Sequence, residues 1–364
     1  MGQKTICLIN QDLNVGGAQR YISNLANFLS EKGYTIHILL LNDKPVFFKL
    51  HKNIEIWQPH FTDTKSTYRK VKYLFKLIKY IRGSLKKINP DIIFNTAAPS
   101  FILCSTLGLS YPIYISIRCN PNNTKLIEIL NIPLFFRRIL YKRIKGIVAQ
   151  TKFASEVLKR QMEHVNIMVV PNSLGERQYF NSAKKDQIIS VGRLVKSKGF
   201  DYLIHAFALA YQPGWKLLIV GDGPEKENLQ NLISRLEITK YVELVGFKNN
   251  IGELLFQSKI FAFTSLTEGF PNALLEAIGT PLPCISFDCQ SGPSDMIQDG
   301  ENGFLIPLKD TDQFAVKLNL LMKNKDLRDR FMLQALRTSE KYEQQVIGAL
   351  YIRLIFENEE DKMY

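Results

Sequence analysis

The sequence predicts an α/β chain built from two Rossmann-like, doubly wound domains in tandem. Short apolar runs alternate with amphipathic stretches along all 364 residues, and the alternation resets once near the middle. Glycine-bearing or cation-bearing turns close several of the apolar runs. A short apolar run bounded by turn residues suits a strand buried on both faces, and apolar spacing of three and four suits a helix packed on one side. Strand, helix and strand in repetition make a parallel sheet covered by helices.

In the first half, the segments KTICLIN, TIHILLL, IEIW, DIIFN, YPIYISI and KGIVAQ read as strands. AQRYISNLANFLSEKGY and YRKVKYLFKLIKYIRGSLKKI carry helical spacing between them. Residues 166–187 then interrupt the pattern with Pro171, Asn172, Gly175 and a polar cluster, the composition of a linker. The rhythm restarts with DQIISVGRL, a helix from Lys198 to Tyr211, WKLLIVGDG and a helix from Pro224 to Leu236. YVELVGF, KIFAFTS, LPCISFD and a closing helical run follow. The expected domains are 1–168 and 169–345, with 346–364 as a final helix. In sheets of this kind ligands bind at the carboxyl ends of the strands.

The formal charge of +13 is unevenly placed: residues 1–165 hold 25 Lys/Arg against 9 Asp/Glu, and the remainder 22 against 25. The first half is therefore the part expected to meet something anionic. The five cysteines, Cys7, Cys104, Cys119, Cys284 and Cys289, form no CxxC and have no histidine at zinc spacing. They read as buried, reduced thiols of a cytoplasmic protein. The opening MGQKTICLINQDLNVGG meets polar residues too early for a signal peptide, and no run approaches the roughly 18 apolar residues of a spanning helix. No repeat and no low-complexity tail is evident.

Four constellations carry chemistry. Thr267 to Ala277 follows the strand KIFAFTS. Gly269 permits a tight loop, Pro271 suits a first helical turn, and backbone N–H groups around Asn272 to Leu274 form an anion site. Glu268 and Glu276 flank it and suit sugar hydroxyls; the plain alternative is a dipole-complementing charge and a surface residue. Gly192-Arg193-Leu194-Val195-Lys196-Ser197-Lys198 leaves the first strand of the second half. A guanidinium fork and an ammonium point charge there fit a diphosphate, or else a solvated loop. Gly221-Asp222-Gly223 resembles a dinucleotide fingerprint without its third glycine, and reads as a tight strand-to-helix turn. Asn14-Val15-Gly16-Gly17-Ala18 places two glycines where a backbone can approach a ligand, or makes an ordinary turn.

These elements in this order resemble the family 4 glycosyltransferases, in particular the bacterial branch acting on polyprenyl-pyrophosphate-linked glycans. The Glu-x7-Glu motif is Glu268 and Glu276, and the GR…K motif is Arg193 and Lys198. Ser291 to Asp295 and Asp299 to Gly303 add to the likeness, which covers essentially the whole chain. The resemblance implies a retaining enzyme of the GT-B fold, with its two domains facing across a cleft and the C-terminal helix crossing back to the first. It implies a catalytic set of Arg193, Lys198 and Glu268, the two cations neutralising the donor diphosphate. Glu276 would hold the ribose, and Glu268 with Gly269, Phe270, Pro271, Asn272 and Ala273 the donor sugar. Phe247 would lie by the base, and Gly16, Gly17, Gly192, Gly221 and Gly223 would approach the donor. Many family members carry a histidine after the strand YPIYISI; here Arg118 stands in that neighbourhood, unable to act as a base but able to bind sugar or phosphate.

The implied reaction moves a hexose or N-acetylhexosamine from a nucleotide diphosphate sugar to a lipid-carrier-linked saccharide of a bacterial capsule, lipopolysaccharide or glycan. UDP is favoured, with N-acetylgalactosamine ahead of galactose, glucose and N-acetylglucosamine. No cofactor or metal is expected: Asp310-Thr311-Asp312 is the one DxD, and it reads as a helix cap. Residues 65–88 hold nine Lys/Arg and no acid. Val71, Leu74, Ile78, Ile81, Leu85 and Ile88 make one helical stripe, and Arg69, Lys72, Lys76, Lys79 and Lys86 another. A second patch, Ile132 to Arg143, joins aromatics to Arg137 and Arg138. Both suit an anionic membrane surface and the acceptor's pyrophosphate, giving a cytoplasmic protein peripheral at the inner face of the membrane. Nucleic acid is not expected as a partner, since no RNA- or DNA-binding module is present. A nicotinamide-dependent sugar-nucleotide oxidoreductase or epimerase is the alternative for two α/β domains and GDG.

Overall fold

The computed structural model describes residues 4–14, 16–61, 67–118, 140–162, 165–175, 180, 182–248 and 251–360. They form two compact units, one of Met1–Ser173 with Gln344–Tyr364 and one of Leu174–Glu343. Each is a doubly wound α/β sandwich.

In the first unit, β1 (Thr5–Asn10), β2 (Thr35–Leu40), β3 (Glu55–Trp57), β4 (Ile92–Asn95), β5 (Ile113–Ile117), β6 (Ile144–Ala149) and β7 (Ile167–Val169) form one sheet. Its order is β3-β2-β1-β4-β5-β6-β7, with every pair parallel. The register sets Ile6 beside Ile36 and Ile92. Alternate residues of β1 feed opposite cores, as the strand period requires. Ile6 and Leu8 pack with α1 (Gly17–Glu31) and with the closing helix, here α12 (Gln344–Glu360). Cys7 and Ile9 pack with Leu77, Ile81 and Leu85 of α2 (Thr67–Ile88). The remaining helices of this unit are α3 (Pro99–Ser105) and α4 (Lys152–Gln161). The closing helix thus belongs to the first unit: Gly348 lies so close to Phe28 that a Cβ there would fall 2.2 Å from its ring.

In the second unit, β8 (Gln187–Val191), β9 (Lys216–Val220), β10 (Val242–Gly246), β11 (Ile260–Phe263), β12 (Cys284–Phe287) and β13 (Gly303–Ile306) take the order β10-β9-β8-β11-β12-β13. All pairs are again parallel. Ile188 faces one core with Leu203 and Phe207 of α5 (Phe200–Ala210), and Ile189 faces the other with Leu274, Leu275 and Ile278 of α8 (Asn272–Gly279). The intervening helices are α6 (Lys226–Arg235), α7 (Gly252–Gln257), α9 (Pro293–Met296), α10 (Thr311–Lys323) and α11 (Lys325–Glu340).

Several sequence expectations need correction. The stretch read as linker contains β7, and the units divide at 173/174 and 343/344. The helix expected from Lys198 starts at Phe200, because Lys196–Lys198 form a 3₁₀ turn and Gly199 adopts left-handed geometry at φ +60°. On α2 only the later part of the apolar stripe is core: Ile81, Leu85 and Ile88 are buried, but Val71 and Leu74 are exposed. Cys7, Cys284 and Cys289 are buried free thiols as expected, whereas Cys104 is exposed and Cys119 lies outside the described residues.

Candidate active site

The second unit gathers its motif residues at the carboxyl ends of its strands. β8 and β11 are neighbours, and the chain leaves β8 toward β9 on its other side. Their ends therefore flank the point where strand order reverses, the place where such sheets leave a crevice. The loop after β8 carries Arg193 and Lys198; the loop after β11 carries Glu268 and leads into α8.

These loops are fastened backbone to backbone. Gly192 N donates to Val220 O (3.0 Å), Leu194 N to Asp222 O (2.9 Å), and Gly221 N to Gly246 O (2.9 Å). A Cβ on Gly221 would fall 1.8 Å from Gly192 O, and one on Gly223 2.4 Å from Leu194 O. The GDG glycines thus serve close passage of one loop over another. Leu266 N donates to Ser197 O (2.8 Å), and Thr264 Oγ1 to Lys198 O (3.2 Å), joining the β8 loop to the β11 loop. A Cβ on Gly199 would meet Thr264 O at 2.3 Å.

Two motif side chains meet directly. Lys198 Nζ lies 2.5 Å from Glu268 Oε1, with the two side chains 24% and 11% exposed. Partial burial makes this pair stronger than a surface ion pair and fixes both termini. Arg193 is exposed, and its guanidinium has no partner among the described residues. Glu276 is half-buried on the first turns of α8. Phe247, 63% exposed, follows β10 on the same edge. The turn before α8 differs slightly from expectation. Pro271 is the N-cap residue rather than the first helical one, and Asn272 N already donates to Phe270 O (3.0 Å). The turn is buttressed by a loop whose part the sequence did not reveal: Ser291 Oγ donates to Gly269 O (3.0 Å), and a Cβ on Gly292 would fall 2.3 Å from Pro271.

In the first unit, α1 begins at Gly17 directly after Gly16, and Arg118 follows β5. Arg118 is stacked on Tyr21 of α1, its guanidinium carbon 3.4 Å from the ring centre, and Nη2 donates to Asn172 Oδ1. Asp12, nearby after β1, was not singled out from the sequence. It is held by Lys44 Nζ (2.9 Å), Asn14 N (3.2 Å) and Gln19 Nε2 (3.2 Å). Burial acts to raise its pKa, but these hydrogen bonds outweigh burial and hold it below the usual carboxylate range.

Asp310 of the DxD caps α10, accepting from Gln313 N (2.9 Å), as the sequence indicates. No cluster of three metal-ligating side chains occurs among the described residues. Of the basic faces, Lys72, Lys76 and Lys79 are exposed on α2. The side chain of Arg69, together with Arg137 and Arg138, falls outside the described residues.

Two Rossmann-like units, one with a paired Lys and Glu at its switch point, are the architecture expected of a glycosyltransferase of the GT-B class. Two domain descriptions match in succession: Glycosyltransferase Family 4 over residues 15–174 and Glycosyl transferases group 1 over residues 175–337. The chain belongs to this glycosyltransferase family, and the oxidoreductase alternative finds no support. It is 29% identical over 353 residues to the amylovoran biosynthesis glycosyltransferase AmsD of Erwinia amylovora, covering 94% of this chain and 97% of that one. It is 25% identical over 359 residues to a Campylobacter jejuni α-1,4-N-acetyl-D-galactosaminyltransferase named for a diNAcBac-PP-undecaprenol acceptor, covering 97% and 98%. Among solved structures, a mutant of S. aureus TarM in complex with fondaparinux, α-GlcNAc-glycerol and UDP superposes with a TM-score of 0.78 at 16% identity, covering 97% and 100%. That likeness concerns the fold. The Erwinia and Campylobacter relatives are both bacterial glycosyltransferases, one named for amylovoran biosynthesis and the other for an undecaprenol-linked glycan.

Proposed function

We propose that this glycosyltransferase is a retaining enzyme that moves a hexose or N-acetylhexosamine from a UDP-sugar to a polyprenyl-pyrophosphate-linked saccharide. The observation that carries the donor reading is the Lys198–Glu268 pair at the strand ends of the second unit. A diphosphate competes with Glu268 for the Lys198 ammonium, and Arg193 adds a second, uncommitted cation. Glu268 then accepts hydrogen bonds from sugar hydroxyls, and Glu276 from the ribose. Gly16, Gly17 and Arg118 of the first unit keep the donor-binding role that the family resemblance implies for them.

The reaction breaks the bond between the anomeric carbon and the β-phosphate oxygen. The electron pair leaves with the nucleoside diphosphate, whose charge Arg193 and Lys198 offset. The departing phosphate oxygen takes the proton of the acceptor hydroxyl as that hydroxyl bonds to the same face of the anomeric carbon. No separate base and no metal enters this scheme.

The lipid-linked acceptor is supported by the C. jejuni relative's named acceptor and by the basic first half of the chain. The enzyme would work at the inner face of the membrane, bound peripherally through α2. The test is a sugar-nucleotide screen with a polyprenyl-pyrophosphate-linked acceptor, reading nucleoside diphosphate release. One UDP-sugar should support acceptor-dependent release. Lys198→Ala should slow it by orders of magnitude, since one transition-state charge contact contributes roughly 3 kcal/mol. Near-normal turnover by that variant would overturn the assigned role.

A further inference from the structure

Arg118 is an unusual cation. It sits at the end of β5 in the first unit, and the groups around it come from α1, from the segments after β6 and β7, and from α12. Asn172, 4% exposed, accepts from its Nη2; the same Asn172 oxygen accepts from Gln150 Nε2 at 2.7 Å. With its amide turned over, Gln150 accepts from Arg118 at 3.0 Å instead. Tyr21 offers the face of its ring. Tyr351, 1% exposed, packs against Tyr21 with ring centres 5.8 Å apart. Every one of these partners is neutral, and no carboxylate pairs with Arg118 among the described residues.

Arg118 is half-buried as a residue, with Nη1 withdrawn from solvent; a desolvated guanidinium is costly, and folds ordinarily meet that cost with an acid. Burial here lowers the pKa of Arg118, while its charge opposes the burial-driven rise of the Tyr21 and Tyr351 phenols, Tyr351 reaching about 12. The arrangement also keeps hydrogen-bonding capacity in reserve. Arg118 Nη1 and the hydroxyls of Tyr21 and Tyr351 are all buried, and what they have within reach is one another and the Ser116 hydroxyl, in contacts too poorly aligned to count as full hydrogen bonds. Buried polar atoms are rarely left short of good hydrogen bonds, and a guanidinium nitrogen with two such hydroxyls beside it marks a place built to receive acceptor oxygens. The N-terminus of α1, one turn before Tyr21, adds its positive end.

We propose that Tyr21, Asn172 and Tyr351 are positioning residues for Arg118, holding its guanidinium by neutral contacts as a receptor for phosphate oxygens. The inference rests on the glycosyltransfer reading and deepens it, making the closing helix part of the site through Tyr351. The oxygens belong either to the donor diphosphate or to the acceptor's pyrophosphate.

The test is Asn172→Asp, which puts a carboxylate where a neutral oxygen now meets Arg118. If Arg118 were structural, the new ion pair would hold or raise Tm and leave ligand affinity alone. The proposal expects Tm held or raised together with at least about a tenfold loss of inorganic pyrophosphate affinity by calorimetry, the size of one lost charge-assisted contact. A matching loss of UDP affinity assigns the site to the donor. An unchanged UDP affinity with a raised KM for the lipid-linked acceptor assigns it to the carrier. Tyr351→Phe, which keeps the ring and removes the hydroxyl, should weaken pyrophosphate binding in the same direction. Undiminished pyrophosphate binding by Asn172→Asp, or none by the unaltered enzyme, overturns the proposal. Absence of UDP-sugar turnover in the unaltered enzyme would instead overturn the glycosyltransfer reading, and the pyrophosphate titration still decides the role of Arg118.

Discussion

Lys198 and Glu268 satisfy each other at 2.5 Å, and that pairing shapes what their removal should do. A carboxylate that orders an ammonium also competes with phosphate for it. Glu268→Gln keeps the shape and removes the charge, so Lys198 is freed for the diphosphate while the sugar loses its better acceptor. UDP affinity should hold or tighten, and transfer from the UDP-sugar should fall at least about tenfold, as expected for one charge-assisted hydrogen bond. Titration of UDP alongside turnover separates the two effects. A parallel fall in both would mean that Glu268 supports the loop rather than the sugar. The Lys–Glu pair was legible only as two motifs seventy residues apart. Its closeness depends on β8 and β11 being sheet neighbours, which no local spacing encodes.

The loops that carry these side chains depend on glycines and on a buttress. Gly292 sits at φ +102° with Pro271 in the space a Cβ would need, and Ser291 ties the same loop to Gly269. Gly292→Ala should therefore shift the turn before α8, lowering Tm and weakening UDP binding together. Asp310→Ala makes the contrast. It removes the cap of α10, which should cost about 1 kcal/mol, with turnover unaltered and insensitive to EDTA. Loss of turnover with EDTA, or with Asp310→Ala in a folded protein, would point to a metal role for the DxD. Long periodic elements were legible from sequence: α1, α2 and the strands from β8 to β12 fall where apolar spacing puts them. β7 and β13 were not, although the equally short β3, β4, β11 and β12 were: β7 runs almost directly into Pro171 and a polar cluster, and β13 opens on Gly303 at the end of Asp299-Gly300-Glu301-Asn302, so turn residues hide the apolar run. The stretch Asp299 to Gly303 shows a different limit. Asn302, 3% exposed, accepts from Gln298 N (2.8 Å) and donates to Met296 O (2.9 Å) and Thr338 Oγ1 (3.0 Å). A family signature there holds a turn together.

At the scale of the whole molecule, the charge asymmetry separates two kinds of surface chemistry on one chain. The first 165 residues hold the basic excess, and within them α2 presents Val71, Leu74 and Phe75 to solvent, Phe75 being 70% exposed. Lys72, Lys76 and Lys79 are exposed on the same stretch of helix. A surface helix that only packs on its own core has no use for exposed Phe and Leu beside three lysines, whereas an interfacial helix needs both: apolar side chains to enter the acyl boundary and cations to meet headgroups. None of the described helices is long and apolar enough to cross a membrane, so any attachment through this helix is in the plane of the surface. Each lysine near an anionic surface contributes about 1 kcal/mol and each is screened by salt, so binding should be measurable at low ionic strength and fade as the Debye length shortens. Sedimentation with phosphatidylglycerol vesicles should recover the enzyme, phosphatidylcholine vesicles should not, and 0.5 M salt, roughly a 4 Å screening length, should release most of it. Phe75→Ser should weaken binding even at low salt, and the triple change of Lys72, Lys76 and Lys79 to Glu should abolish it. Turnover on a short, water-soluble acceptor should survive both changes, because the donor machinery lies on other elements. Vesicle binding that ignores lipid charge, salt and these substitutions would remove α2 from the account and leave the acceptor to be met in solution.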